Sequence, residues 1–421
     1  MDKPTSLGRE LLKALGAIFA CALLGYLLLT AAYALSDTER QAKNCRASLP
    51  VINEEKEYEP ELYSRRLLDN VTDWIMIRTA AYNSEDSAFL LAEEAIHTLH
   101  ESGSCKTDFQ LTFEEGAAPG RIEPYRRYWH GYQLTLRPLL HVLSYGQIRV
   151  LNSAVQMLLL TVAILLMLKR QPRCLFPFSL MILLLAPTAI GRSLQFSSVY
   201  YIMLTAIILL LWNPSGRYTG WALPRLFLLA GIITAFLDFL TAPTITLTAP
   251  LVLVCADRKR YAAEQGWKRL LLCCAFWGMG YAGMWGSKWI LSLLVTRGQF
   301  LRELMEMVRF RTSTGDGQES FTRAEALMCN VRELFFNKFH ILLCVAYTLA
   351  VPLVWHDCLP TARPAQSLPL ALPFACGIAW IALLSNHSYI HFFFTYRTLA
   401  PCVFAVLTAI TPCFKLKEEP S

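Results

Sequence analysis

Asp69 and Asp73 stand four residues apart in LDNVTDWIM, so on a helix their carboxylates share one face, with Asn70 and Thr72 alongside. Asp69 or Thr72 can serve there as the N-cap. Asp73 lies within the helix start, beside Trp74, Ile75 and Ile77, and an acid on an apolar, membrane-facing helix costs free energy unless it is used or paired. Asp73 is therefore the first candidate for a general base and Asp69 the second. Farther along, YRRYWHGY gathers Arg126, Arg127, Trp129 and His130 into one basic and aromatic knot. Such residues anchor chains at membrane interfaces. Equally, guanidinium groups bind phosphate oxygens and aromatic faces bind a sugar ring or an isoprene.

Three later stretches add to the set. Asp238, in AFLDFLTAPTITL, joins the end of one apolar run to the start of the next and has no partner nearby in sequence. Lys288, in MWGSKWILSL, falls about twenty residues into its helix, near the outer surface at about 1.5 Å per residue. It can snorkel, pair with Asp238 or hold a phosphate. His387, His391 and Arg397 share NHSYIHFFFTYR. Histidines four apart lie on one helix face, which is a metal-ligand spacing, but no acid is adjacent; a divalent metal stays open and no metal site is assigned. Arg397 is a further phosphate ligand candidate.

The elements that must position these residues are membrane helices. Of 421 residues, 54% are hydrophobic and only 17% charged, with mean hydropathy +0.37. A soluble chain carries about a quarter charged residues. Apolar runs at 11–35, 148–168, 175–190, 199–212, 226–239, 242–255, 270–295, 339–355, 368–384 and 399–412 predict an all-α polytopic protein with about ten transmembrane helices. The formal charge of +7 comes from short clusters beside these runs, which suits orientation in a lipid bilayer and not nucleic-acid binding.

With the N-terminus cytoplasmic, the inner loops collect Lys169, Arg170, Arg173, Arg217, Arg225, Arg258, Lys259, Arg260, Lys268, Arg269, Arg363, Lys415 and Lys417. The chain then divides into an anchor helix (1–35), a first extracytoplasmic segment with interfacial helices (36–146), helices two to seven (147–295), an outer loop that is either a lid or a solvated helical hairpin (296–338), and helices eight to ten with a cytoplasmic tail (339–421). In the first outer segment, 72–82 and 87–100 have helical spacing. Residues 134–143 are too short to span; they lie in the interface or re-enter, bringing Trp129 and His130 to the bilayer surface. Cys45 and Cys105 also fall in this segment, facing an oxidising compartment, and are expected to form a disulfide.

A long acidic first outer loop, many spans, and basic and histidine residues in later outer loops resemble the GT-C class of integral-membrane glycosyltransferases. The strings LDNVTDWIM, YRRYWHGYQLTLRPLL, FLDFLTAPTITL and NHSYIHFFFTYR are also similar to those of a broad set of uncharacterised bacterial multi-pass membrane proteins. The GT-C resemblance implies a polyprenyl-phosphate-linked sugar as donor, a cell-envelope glycan as acceptor, and inverting transfer on the outer face. It implies a carboxylate base, Asp73 before Asp69, and a leaving phosphate met by Arg126, Arg127, Lys288 or Arg397 with hydrogen bonds from His130 or His387. The chain departs from the class by placing only Asp37 and Glu39 just after the first span. The competing expectation is a multi-pass transporter or lipid flippase without covalent chemistry, which favours polar residues throughout the bilayer depth and paired sequence halves.

Overall fold

The computed structural model describes residues 7–35, 37–60, 67–82, 84–114, 116–213, 218–257, 261, 266–315, 320–336, 338–358, 367–411 and 414–416. Arg217, Arg258, Lys259, Arg260, Arg363 and Lys417 of the expected inner loops lie outside them. Helices run through every expected apolar stretch: α1 (Leu7–Ala34), then, after the outer segment, α8 (Tyr145–Arg170), α9 (Pro172–Leu184), α10 (Pro187–Arg192), α11 (Leu194–Leu211), α12 (Ala222–Leu237), α13 (Ile245–Ala256) and α14 (Trp267–Val295). These are followed by α15 (Phe300–Thr312), α16 (Arg323–Phe335), α17 (Lys338–Val354), α18 (Ala371–Leu383), α19 (Ser385–Ile390), α20 (Phe392–Thr395) and α21 (Ala400–Ile410).

Ten spans are more than the geometry establishes. Leu7–Ala34, Tyr145–Arg170, Leu194–Leu211 and the combined Phe392–Ile410 are long and apolar enough to cross a bilayer; α16 with α17 makes a fifth only if their bend of 65° is taken within one span. Helices α9, α12, α13 and α18 hold 13, 16, 12 and 13 residues. At about 1.5 Å per residue they reach about 18–24 Å, short of a core of about 30 Å. The expected span at 175–190 is cut because Ala186 turns left-handed (φ 58°) before Pro187. The long helices α1 and α8 leave Leu12, Leu15, Phe19, Val150 and Leu158 bare along their length, as surfaces solvated by lipid are. This is a helical membrane protein.

Within the bundle, α12 and α14 make the most extensive pairing. Their backbones touch at Gly231 and Gly280, where an added Cβ would strike the carbonyls of Trp277 and Leu228.

The first outer segment is built from small elements: α2 (Thr38–Arg46), α3 (Leu49–Glu54), β1 (Tyr58–Pro60), β2 (Leu67–Asp69), α4 (Asn70–Ala81), α5 (Ala88–Glu94), β3 (His97–Leu99), α6 (Cys105–Phe113), β4 (Arg121–Glu123) and α7 (Gln133–Leu140). Strands β1 and β2 pair antiparallel, as do β3 and β4, with His97 opposite Glu123; β5 (Trp355–Cys358) and β6 (Phe414–Leu416) form a third pair. The helix expected over 87–100 stops at Glu94, because Ala95 is left-handed (φ 48°) and the chain then turns into β3. Helix α7 packs one face on the bundle: Gln133, Leu136, Arg137 and Leu140 are buried, and the Arg137 guanidinium sits 4.0 Å over the Tyr33 ring while Nη1 donates to the Ala80 carbonyl at 2.6 Å.

Helices α15 and α16 are clasped to the stretch that carries α19 and α20. Asn386 donates to the Phe310 carbonyl at 2.8 Å, Ser385 to Ser313 at 2.7 Å, Asn330 to Ser388 at 2.9 Å, and Thr395 to Asn330 at 2.8 Å.

Candidate functional site

Helix α4 begins at Asp69, whose carboxylate caps it by accepting from the Thr72 amide at 3.0 Å and hydroxyl at 2.8 Å. Burial pushes the Asp69 carboxyl up to about 6, against the lowering by these two bonds. It lies close enough to Tyr58 and Tyr125 to act on both phenols.

Asp73, one turn on, is fully enclosed and used. It accepts from the Tyr145 hydroxyl at 2.8 Å, the Leu194 amide at 2.9 Å, the Gln195 amide at 3.0 Å and the Ser193 hydroxyl at 3.3 Å. The amides belong to the first turn of α11, so a carboxylate from α4 neutralises the positive end of another helix. Arg149 stands 3.9 Å from Asp73 and is itself held by Asn70 at 2.6 Å and Glu55 at 2.5 Å. Through these contacts Asp73 ties α4 to the starts of α8 and α11.

The basic and aromatic knot also packs inward. Trp129 and His130 are 3% and 2% exposed, so both rings are enclosed by protein. Trp129 donates to the Met284 carbonyl of α14 at 2.7 Å. His130, left-handed at φ 56°, is held between the Tyr125 carbonyl (2.7 Å) and the Tyr132 hydroxyl (3.1 Å), and burial drives its pKa down to about 3. Gly131 is needed beside it: its amide donates to the Phe236 carbonyl at 2.9 Å, and a Cβ would strike Phe236. Arg126 pairs with Glu93 at 3.2 Å and with Glu94. Lys288 likewise does not meet Asp238; it pairs with the Glu93 backbone carbonyl and, at 3.5 Å, its carboxylate, which Ser292 also bonds at 2.6 Å. These cations are matched by Glu93, a partner the sequence reading missed. Arg127 lies 4.8 Å over the Tyr125 ring and 3.8 Å from Glu303.

The remaining candidates lie around the carboxyl-terminal end of α12, α19 and the start of α21. Asp238 caps the end of α12, and its Oδ2 accepts from the Thr241 amide at 3.0 Å; its buried Oδ1 has no partner among the described residues. In this turn Phe239 packs against Tyr125, Tyr128, His130 and Tyr132, and Leu240, at φ 67°, presents its carbonyl to His387 Nε2 at 2.8 Å. Arg311, from α15, closes on His387 Nδ1. The sequence carried Arg311 on the same helical face as Phe300 and Leu304, but inside a charge-alternating stretch that reads as solvated. His391 stacks on Phe394 at 5.1 Å; burial lowers its pKa to about 4 and holds that of His387 well below the ordinary imidazole value.

Arg397 is 1% exposed. Its Nε donates to the Leu185 carbonyl at 3.0 Å and its guanidinium lies 4.3 Å over Phe196 and 4.9 Å over Tyr396. Both Nη atoms are buried with no partner among the described residues. A run of ring contacts joins it to the acid side: Phe196 to Phe394 at 5.9 Å, Phe394 to Phe393 at 5.0 Å, and Phe393 to Tyr58 at 5.7 Å, beside Asp69.

Next to these groups, α7, α8 and α11 enclose a cavity of about 370 Å³ whose walls include Tyr132, Leu136, Val155, Leu194 and Leu237. Leu194 and Leu237 of its wall are the chain neighbours of Gln195 and Asp238.

Cys45 and Cys105 are both free thiols, and the expected disulfide is absent. Cys45 is enclosed in the core, while the Cys105 sulfur lies 3.3 Å from the Arg78 guanidinium and 3.6 Å from the Val71 carbonyl. Among the described residues no group of three His, Cys, Asp or Glu side chains is placed to hold a metal. The chain matches no family model, no curated protein and no solved structure.

Proposed function

We propose that this protein is a bacterial cell-membrane glycosyltransferase, resembling the GT-C class, that moves a sugar from a polyprenyl-phosphate donor to a cell-envelope acceptor on the extracytoplasmic face. The observation that carries this reading is Arg397, a buried guanidinium with two unused nitrogens, joined by an aromatic path to a carboxyl whose pKa is raised. Unspent charge of this kind suits a leaving phosphate, because it does not have to reorganise as negative charge develops.

Asp69 takes the role of base ahead of Asp73, since its two oxygens accept one bond each from Thr72 whereas those of Asp73 hold four donors. The acceptor oxygen bonds to the anomeric carbon as its O–H bond breaks, and the proton passes to Asp69. The bond from that carbon to the phosphate oxygen breaks, its electron pair leaving on the phosphate, which Arg397 receives. Attack opposite the leaving group inverts the carbon, as in single-displacement glycosidases. The apolar cavity beside Leu194 and Leu237 suits the isoprenoid tail.

The test compares surface glycopolymer sugars in the parent strain, a deletion, and deletions carrying wild-type, Asp69→Asn or Arg397→Gln protein. A sugar lost on deletion, restored by wild type and by neither variant supports the reading. Surface sugars unchanged by deletion would overturn it and favour the transporter or flippase.

A further inference from the structure

At the amino-terminal end of α1, far in sequence from the groups above, Glu10 is buried to 1% exposure. Arg225 of α12 grips it with Nε at 2.8 Å and Nη2 at 2.6 Å, and Lys13 donates at 2.9 Å. The acid therefore holds two cations at fixed positions, one more positive charge than it neutralises. Neither cation is spent: the Arg225 and Lys13 side chains are 46% and 51% exposed, Lys13 gives one of its three donors to Glu10, and Arg225 keeps Nη1.

Directly below them α1, α12 and α14 leave a cavity of about 310 Å³, walled by Ala14, Ala17, Cys21, Leu228, Leu229, Ile232 and Phe276 with Glu10, Lys13 and Arg225 at its mouth. Its volume is at the lower end of the range of ligand pockets, about 300–1,000 Å³. The combination has one direction: cationic at the helix ends and apolar toward the bilayer centre. Trp221 and Trp267, with Lys268 and Arg269, stand at the same ends of α12 and α14, and the Arg269 guanidinium lies 5.4 Å from the Trp221 ring centre; such residues mark the headgroup level.

We propose that this cleft is a binding site for one anionic phospholipid of the leaflet at the amino-terminal end of α1. The phosphodiester sits between Lys13 and Arg225 and an acyl chain fills the space over Ala17 and Cys21. A zwitterionic lipid offers the same chain but cancels the excess positive charge with its own cation, so charge complementarity selects the anionic headgroup. The occupant bridges α1 to α12 and α14, and a ligand that binds only the folded state raises its stability by mass action.

The full-length protein is reconstituted in nanodiscs of phosphatidylcholine alone or with one-fifth phosphatidylglycerol, and its thermal midpoint is read with retained lipid counted by native mass spectrometry. Phosphatidylglycerol raises the wild-type midpoint by about 3 °C or more, one copy stays bound, and free glycerol phosphate added to phosphatidylcholine discs changes nothing. Lys13→Gln loses most of the shift, Ala17→Phe fills the cleft and loses it, and Lys268→Gln, which removes a like charge away from the cavity, keeps it. Equal midpoints in the two lipids, or equal losses from Lys13→Gln and Lys268→Gln, would overturn the site, the second by showing diffuse attraction to a basic rim. Should Ala17→Phe fail to assemble, the comparison of the two lysine variants decides alone.

Discussion

Replacing Asp73 separates a lock from a catalyst. Its carboxylate receives two backbone amides and two hydroxyls with Arg149 3.9 Å away, all without solvent. Hydrogen bonds to a charged group contribute about 1.5–3 kcal/mol each, and breaking a buried ion pair costs about 3–5 kcal/mol, terms that overlap and do not add. In Asp73→Asn, one oxygen still accepts, but the amide nitrogen faces the Leu194 N–H or the Gln195 N–H, so the expected loss is about 3 kcal/mol. Asp73→Ala strands all four donors and the first turn of α11, for about 5 kcal/mol. Tyr145→Phe removes a single donor, for about 1 kcal/mol. Unfolding in mixed micelles at rising denaturing-detergent fraction, followed by tryptophan emission, measures all three. The Asp73→Asn and Tyr145→Phe double mutant should fall short of the sum, because the pair shares a bond. An Asp73→Asn protein within about 1 kcal/mol of wild type that has nonetheless lost sugar transfer would refute the lock and return Asp73 to the role of base.

Asp69 predicts two pH effects of different origin. As a base with its carboxyl at about 6, it should give transfer that rises with pH through about 6, an effect that Asp69→Asn removes together with the activity. For stability, the folded carboxyl binds its proton more tightly than the unfolded one, so this contribution is fully present below about 4 and is lost as pH rises toward 6, by about 3 kcal/mol for a shift of about two units. Asp69→Asn, still able to cap α4, should therefore show a flatter stability profile between pH 4 and 6 in the same unfolding assay. Gly280→Leu should cost about 3 kcal/mol by forcing α14 off the Leu228 carbonyl, read as a lowered melting midpoint. Lys288→Met leaves Glu93 short of a partner and should cost about 3 kcal/mol, part of which Glu93→Gln in the same chain restores.

The helical plan was readable because runs of apolar residues leave a chain in lipid no other backbone solution, and helices do cover each expected run. Which helices cross fully was not readable, since Pro187, Asp238 and the Gly231–Gly280 contact shape a bundle interior that hydropathy averages over. The site residues show the same limit. An acid in an apolar helix announces that something must satisfy it; for Asp73 that something is the start of α11, 121 and 122 residues away, and no local pattern names it. For Lys288 the sequence leaves snorkelling, a pairing with Asp238 and a phosphate all open, and Glu93, near the end of the short helix α5, is the acid it meets. Arg397 does stand just before its helix, α21, while its unused nitrogens are visible only in three dimensions.

The way the outer segment is fastened has a consequence for how the protein is made. Its ties to the bundle are long in sequence: 122 residues from Asp73 to Gln195, 155 from Trp129 to Met284, and 199 from Glu93 to Ser292. At about 5–20 residues per second, the ribosome needs about 10–40 s to supply Ser292 after Glu93 has emerged. During that interval the segment holds Glu93 and then Trp129 without their partners on α14. The segment therefore completes its structure only when α14 has been made, and a nascent chain stopped before Met284 should expose Trp129 to collisional quenchers and proteases that the finished protein excludes.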